Sequence, residues 1–97
     1  MKSMDRKAFE EAKKAYIEGI REKIIKYKKL VDKRNLSEIQ RLGHSLKGSG
    51  TMYGYPEIST FGKKVESLAK SGNWTQIKQT IKGLKAIYEK IKGEKDG

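Results

Sequence analysis

Four stretches of the chain space apolar residues three and four positions apart, and no stretch alternates apolar with polar. A period near 3.6 belongs to helices and a period of two to strands, so an all-α fold is expected. The first stretch, residues 5–33, carries Phe9, Ala12, Tyr16, Ile20, Ile24, Tyr27 and Val31 along one face. It would be ~43 Å long, more than the other three can cover. Either a break near Gly19 or an N-terminal part that overhangs or caps the bundle is therefore expected. The second stretch begins at Asn35, with Glu38 in the capping-box position, and ends near Tyr53. Gly54-Tyr55-Pro56 reads as a turn, with Pro56 suited to the first position of the third helix. That helix presents Ile58, Phe61, Val65, Leu68 and Ala69 and stops at Ser71-Gly72. Asn73 caps the fourth, with Gln76 in the box position and Trp74, Ile77, Ile81, Leu84, Tyr88 and Ile91 as its stripe. Residues 93–97 are polar and expected to fray or remain flexible. Short connections force consecutive helices antiparallel. The expected fold is an antiparallel up-down-up-down four-helix bundle with an N-terminal helical extension or cap, forming one domain over residues 1–97.

Size and composition narrow what such a bundle can do. A chain of 97 residues leaves little room for an enclosed substrate cavity together with a catalytic constellation. That favours a binding or carrier module over a self-sufficient enzyme. The absence of cysteine removes disulfides and thiolate metal sites and fits a cytoplasmic location. No run approaches the roughly 20 apolar residues that span a bilayer. Residues 1–15 carry both signs of charge and no apolar core, unlike a secretory signal. A net charge of +11, from 23 Lys and Arg against 12 Asp and Glu, favours an acidic partner. Nucleic acid, anionic lipid and an acidic protein surface all qualify.

The second helix carries the only histidine, His44. At about 100° per residue, Ser37, Gln40, Arg41, Lys47, Gly48 and Thr51 fall within roughly 60° of His44. Ile39, Leu42, Leu46, Ser49, Gly50 and Tyr53 fall on the opposite side. The imidazole is thus expected in solvent, mid-helix, on a polar and cationic face. No second His and no Cys stand ready to complete a metal site. Three glycines, Gly43, Gly48 and Gly50, weaken this helix by up to ~1 kcal/mol each relative to alanine. Gly43 and Gly50 lie towards the buried side, where small size permits close packing. Gly48 lies on the exposed face one turn after His44. A missing side chain there leaves a notch through which a partner could bring a reactive group to the ring.

Lys47, three residues after His44, is its neighbour on the helix surface. A fixed cation there can stabilise a phosphoryl group and the charge that develops as it moves. A nucleophilic imidazole also works better when its second nitrogen is held by an acceptor. Helices two and three form a hairpin about Tyr55, so residues equidistant from Tyr55 face one another. This register pairs His44 with Glu66, Lys47 with Lys63 and Gln40 with Lys70. Glu66, at the edge of the third helix's apolar stripe, is then either the acceptor for the Nδ1 proton or an ordinary boundary glutamate.

The run His44-Ser45-Leu46-Lys47-Gly48-Ser49-Gly50-Thr51-Met52-Tyr53-Gly54 resembles the motif of histidine-containing phosphotransfer domains. Tyr55-Pro56-Glu57-Ile58, Val65-Glu66 with Leu68, and Asn73-Trp74 look like the following parts of that family. The likeness covers nearly the whole chain. It implies a four-helix bundle phosphorylated at Nε2 of His44, with Lys47 contacting the phosphoryl group and Gly48 admitting the partner. It further implies that Glu66 holds the ring. Chemotaxis-kinase phosphoacceptor domains share much of this, but usually have a second histidine where Lys63 stands; a phosphorelay carrier is the better match.

The expected partners are receiver domains of response regulators or hybrid histidine kinases, met by a monomer. Gln40, Arg41, Thr51, Lys63 and Lys70 form the expected partner-facing rim. No cofactor is expected on this chain; the divalent metal belongs to the receiver. No nucleotide motif is present, because Gly48-Ser49-Gly50 lies inside a helix, so no kinase activity is expected. The rival reading is a basic helical module that binds nucleic acid or an anionic surface through the lysines of residues 21–34. Such binding would weaken steeply with salt and ignore His44.

Overall fold

A computed structural model describes residues 3–96. They form α1 (Ser3–Asp32), α2 (Leu36–Met52), α3 (Pro56–Ser71) and α4 (Trp74–Asp96), with no strand among the described residues. The helices pack in a ring: α2 on α1 and α3, and α4 on α3 and α1. Connections at 33–35, 53–55 and 72–73 leave room only for antiparallel neighbours.

The helix ends follow local chemistry. Asn35 Oδ1 accepts from the Glu38 backbone N–H at 3.2 Å, and Asn73 Oδ1 accepts from that of Gln76 at 3.2 Å. The reciprocal half of the first capping box does not form. The Asn35 N–H is already taken by the Leu30 carbonyl, and the Glu38 carboxylate pairs with Arg41 at 3.4 Å. Gly72 closes α3 in the left-handed region at φ 69°. Arg34 adopts the same region after α1 at φ 53°, an unusual place for a residue that carries a Cβ. Its guanidinium lies 5.5 Å from the Trp74 ring centre, a cation–π contact that helps hold it there.

Of the two alternatives for the first helix the overhang holds, and two expectations about the ends change. α1 is one unbroken helix through Gly19, so the mismatch in length is taken up by overhang. Residues 6–11 are all exposed, and Phe9, expected on the buried stripe, is 43 % exposed. The overhang meets the α2–α3 turn through Tyr16, whose ring stacks on Tyr53 at 4.5 Å and lies 6.0 Å from Tyr55. At the other end, residues 93–96, expected to fray, continue α4 as helix. Gly97 lies outside the described residues.

Ile20, Tyr27, Ile39, Leu46, Ile58, Val65, Ile77 and Leu84 make the solvent-free centre. Ile17 joins this core although it lies off the expected stripe. Tyr27 is wholly buried and donates to Thr80, whose hydroxyl in turn donates to the Ile77 carbonyl at 2.6 Å. This satisfies two buried hydroxyls and pins α1 to α4.

α2 and α3 approach backbone to backbone. A Cβ at Gly43 would lie 2.7 Å from the Glu66 nitrogen and 2.8 Å from the Gly62 carbonyl oxygen. A Cβ at Gly50 would lie 2.5 Å from the Ser59 nitrogen, and one at Gly62 would collide with the Lys47 nitrogen. A Cβ at Gly48 would meet nothing. Two alanine substitutions in one helix should therefore have opposite signs. Gly43→Ala should destabilise the fold by about 1–3 kcal/mol through overpacking. Gly48→Ala should stabilise it by up to about 1 kcal/mol through helix propensity. Urea unfolding of the two variants checks both signs; equal effects would mean that α2 and α3 are not in backbone contact.

Candidate functional site

His44 stands mid-way along α2 because Ile39, Leu42 and Leu46 bury the opposite face. Its side chain is 72 % exposed. Nδ1 lies 2.9 Å from Glu66 Oε2. An ionised carboxylate can only accept, so Nδ1 carries the proton and donates it. In a neutral ring this leaves Nε2 with its lone pair free, as a nucleophile requires.

Glu66 reaches the ring from α3 and is far more sheltered, at 14 % exposure. Its second oxygen, Oε1, lies 3.7 Å from Lys47 Nζ. One carboxylate thus sits between an imidazole and an ammonium. Removal from water pushes the Glu66 carboxyl up, but the hydrogen bond from His44 and the charges of His44, Lys47 and Lys70 outweigh it. The group therefore stays ionised below its ordinary range. The 3.7 Å separation from Lys47 is too long for a hydrogen bond, so the ammonium can re-aim at an arriving anion.

The space beside the ring is open. Ser37, Gln40, Arg41, His44 and Glu66 line a shallow cavity of about 370 Å³. On the other side Gly48 leaves the surface uncovered. The stretch of α2 between them is braced from α3: Ser59 Oγ donates to the Lys47 carbonyl at 2.7 Å, and Thr51 Oγ1 donates to Ser59 Oγ at 2.9 Å. No group of three or more His, Cys, Asp or Glu side chains able to hold a metal lies among the described residues.

The hairpin register expected from the sequence brings His44 and Glu66 together. Gly62, the residue before Lys63, packs against the Lys47 backbone. The Lys47 ammonium leans to the Glu66 carboxylate, as charge dictates, and Lys63 is exposed without a hydrogen bond or ion pair among the described residues. Lys70 acts on Glu66 electrostatically, and Gln40 is half-buried against the cavity. Arg41 lines the cavity but is paired with Glu38. Thr51 is tied into the Ser59 brace. Gly62 and Ser59 were not singled out from the sequence. The same register would have found both, since it sets Gly62 one residue from the Lys47 partner and Ser59 close to Thr51.

A depressed carboxyl favours the folded state above the ordinary carboxylate range, and that contribution is lost as pH falls through the depressed value. In side-chain carbon NMR, Glu66 should titrate below the other surface glutamates. His44→Ala should move its midpoint upward. An unchanged midpoint in that variant would mean that the hydrogen bond to His44 does not hold the carboxylate ionised.

No curated protein and no solved structure matches the chain. A family model does: the Hpt domain, over residues 6–94. Its match covers nearly all of the four helices described above and includes His44, Lys47, Gly48 and Glu66. With a helical bundle and an exposed, oriented imidazole in place, the chain belongs to the Hpt domain family, whose members transfer phosphoryl groups through histidine.

Proposed function

We propose that this chain is a phosphorelay carrier in two-component signalling, accepting a phosphoryl group on Nε2 of His44 and passing it to an aspartate of a receiver domain. The observation that carries this reading is the exposed His44 ring held through Nδ1 by Glu66 at 2.9 Å. In the forward step Nε2 attacks the phosphorus of a partner's phospho-aspartate. The N–P bond forms, the acyl O–P bond breaks, and the aspartate carboxylate leaves with the electron pair. Nε2 carries no proton, so none has to be removed before attack. The ring, with its Nδ1 proton retained, gains positive charge, which the Glu66 carboxylate offsets. Lys47 turns from Glu66 to the incoming phosphoryl oxygens. Transfer to the next aspartate is the reverse of these events.

The divalent metal and most of the transfer machinery are assigned to the receiver. The kinase that first supplies the group is assigned to another domain. Gly48 admits the receiver's acidic pocket, with Gln40, Arg41, Thr51, Lys63 and Lys70 around it. Opposite charge on the two surfaces raises the encounter rate. The reading places the domain in the cytoplasm, acting as a monomer. No helix among the described residues is long and apolar enough to cross a membrane.

Incubation with a phosphorylated receiver should give acid-labile, base-stable label on this protein, and His44→Gln should abolish it. Lys47→Ala should slow transfer roughly a hundredfold, at the low end of what a lost transition-state contact costs. Gly48→Gln should block transfer while leaving helical content and urea midpoint near wild type. Label that persists in His44→Gln, or a Gly48→Gln protein that transfers normally, would end this proposal.

A further inference from the structure

The seam opposite the His44 site is built differently. α1 and α4 meet across the bundle from the α2–α3 hairpin, and between them runs a groove of about 740 Å³. Ile24, Ile25, Ile81 and Tyr88 contribute its apolar surface. Ile25 is 53 % exposed and, with Ile24, Ile81 and Tyr88 beside it, belongs to an apolar patch and not to a lone surface position. Cations stand on both banks: Arg21 and Lys28 from α1, and Lys78, Lys82 and Lys85 from α4. Glu89 is the only acid lining it. None of the five cations is in an ion pair among the described residues.

The spacing is that of a helix-binding trough. Lys78, Lys82 and Lys85 repeat every three or four residues along one bank, and Arg21, Ile24, Ile25 and Lys28 do so along the other. The run from Lys78 to Glu89 is ~16 Å long, about three turns of a docked helix. A second copy of this chain is a poor occupant, since each copy carries +11. A duplex would meet the lysines but leave the isoleucine floor unused. A flat bilayer would not reach the floor of a concave groove. We infer that the α1–α4 groove docks an acidic amphipathic helix of a partner protein, its apolar ridge on Ile24, Ile25 and Ile81 and its carboxylates against the lysine banks. This site is separate from the His44 seam, so a partner can hold the domain there while the imidazole stays free.

The test uses the full chain and a panel of synthetic acidic helical peptides of about three turns. Each places Leu or Ile at i, i+3, i+4 and i+7, with Glu on both flanks and the register varied across the panel. Backbone amide NMR should show shifts at Ile24, Ile25, Lys28, Lys78, Ile81, Lys82 and Lys85, and none at His44 or Glu66. A scrambled peptide of equal charge should bind at least roughly tenfold more weakly, because burial and not charge alone holds the helix. Ile25→Glu and the Lys82→Glu, Lys85→Glu double variant should each weaken binding by roughly tenfold or more. All three positions are exposed, so the fold should survive. The inference is overturned if no panel member shifts the groove at ~1 mM peptide. It is equally overturned if the scrambled peptide binds as well, or if a DNA duplex or phosphatidylserine vesicles perturb these residues more strongly than any peptide. None of these outcomes depends on phosphorylation of His44, so this site and the carrier reading fail separately.

Discussion

Helices α2 and α3 touch backbone to backbone at Gly43, Gly50 and Gly62, with no side chain on either helix to hold them apart. Side chains of ordinary size would separate the axes, and a glutamate on α3 would no longer reach an imidazole on α2. With the helices this close, Glu66 meets His44 Nδ1 at 2.9 Å, and Ser59 reaches the Lys47 carbonyl at 2.7 Å. The tautomer of the ring, the state of the carboxylate and the position of Lys47 all derive from that spacing.

The two kinds of glycine in α2 show a division between stability and use. Gly43 and Gly50 cost helix propensity, but close packing offsets it, because nothing larger fits. Gly48 costs the same and gains no contact, since its face is open. A loss of up to ~1 kcal/mol without packing in return is what a docking requirement would leave behind. The same asymmetry separates Glu66 from the other acids. It is sheltered and engaged through both oxygens, whereas Glu18 and Glu38 are more exposed and each is paired with a single cation.

Much of this was legible in the sequence. Periodicity gave four helices, the two asparagine caps and the exposed face of His44, because a three-to-four spacing leaves little choice of which side is buried. The turn at Tyr55 gave the register that pairs His44 with Glu66. What stayed hidden depended on distance between elements. Spacing of residues along a chain does not report how closely two axes approach, so the register places Gly62 near Lys47 but does not say that the two backbones touch there. Nor does register decide where a flexible lysine points. The Lys47 ammonium points to Glu66 because opposite charges attract. Phe9 satisfies the helical stripe yet is exposed, since the stripe continues past the point where α1 has anything to pack against.

The +11 charge fits the pair of seams better than either one alone. Around His44 the cations are few and partly answered: Glu66 meets Lys47, and Glu38 meets Arg41. Under the proposed carrier role, that balance suits a surface that releases its partner after each transfer, because a strongly attractive rim would slow dissociation. Arg21, Lys28, Lys78, Lys82 and Lys85 along the α1–α4 groove are in no ion pair among the described residues, and they flank the exposed Ile25. Electrostatic attraction there can lengthen the stay of a partner without touching the turnover of the phosphoryl group. Placing the excess charge across the bundle from the imidazole separates residence from reaction, two properties that a single cationic face would force to change together.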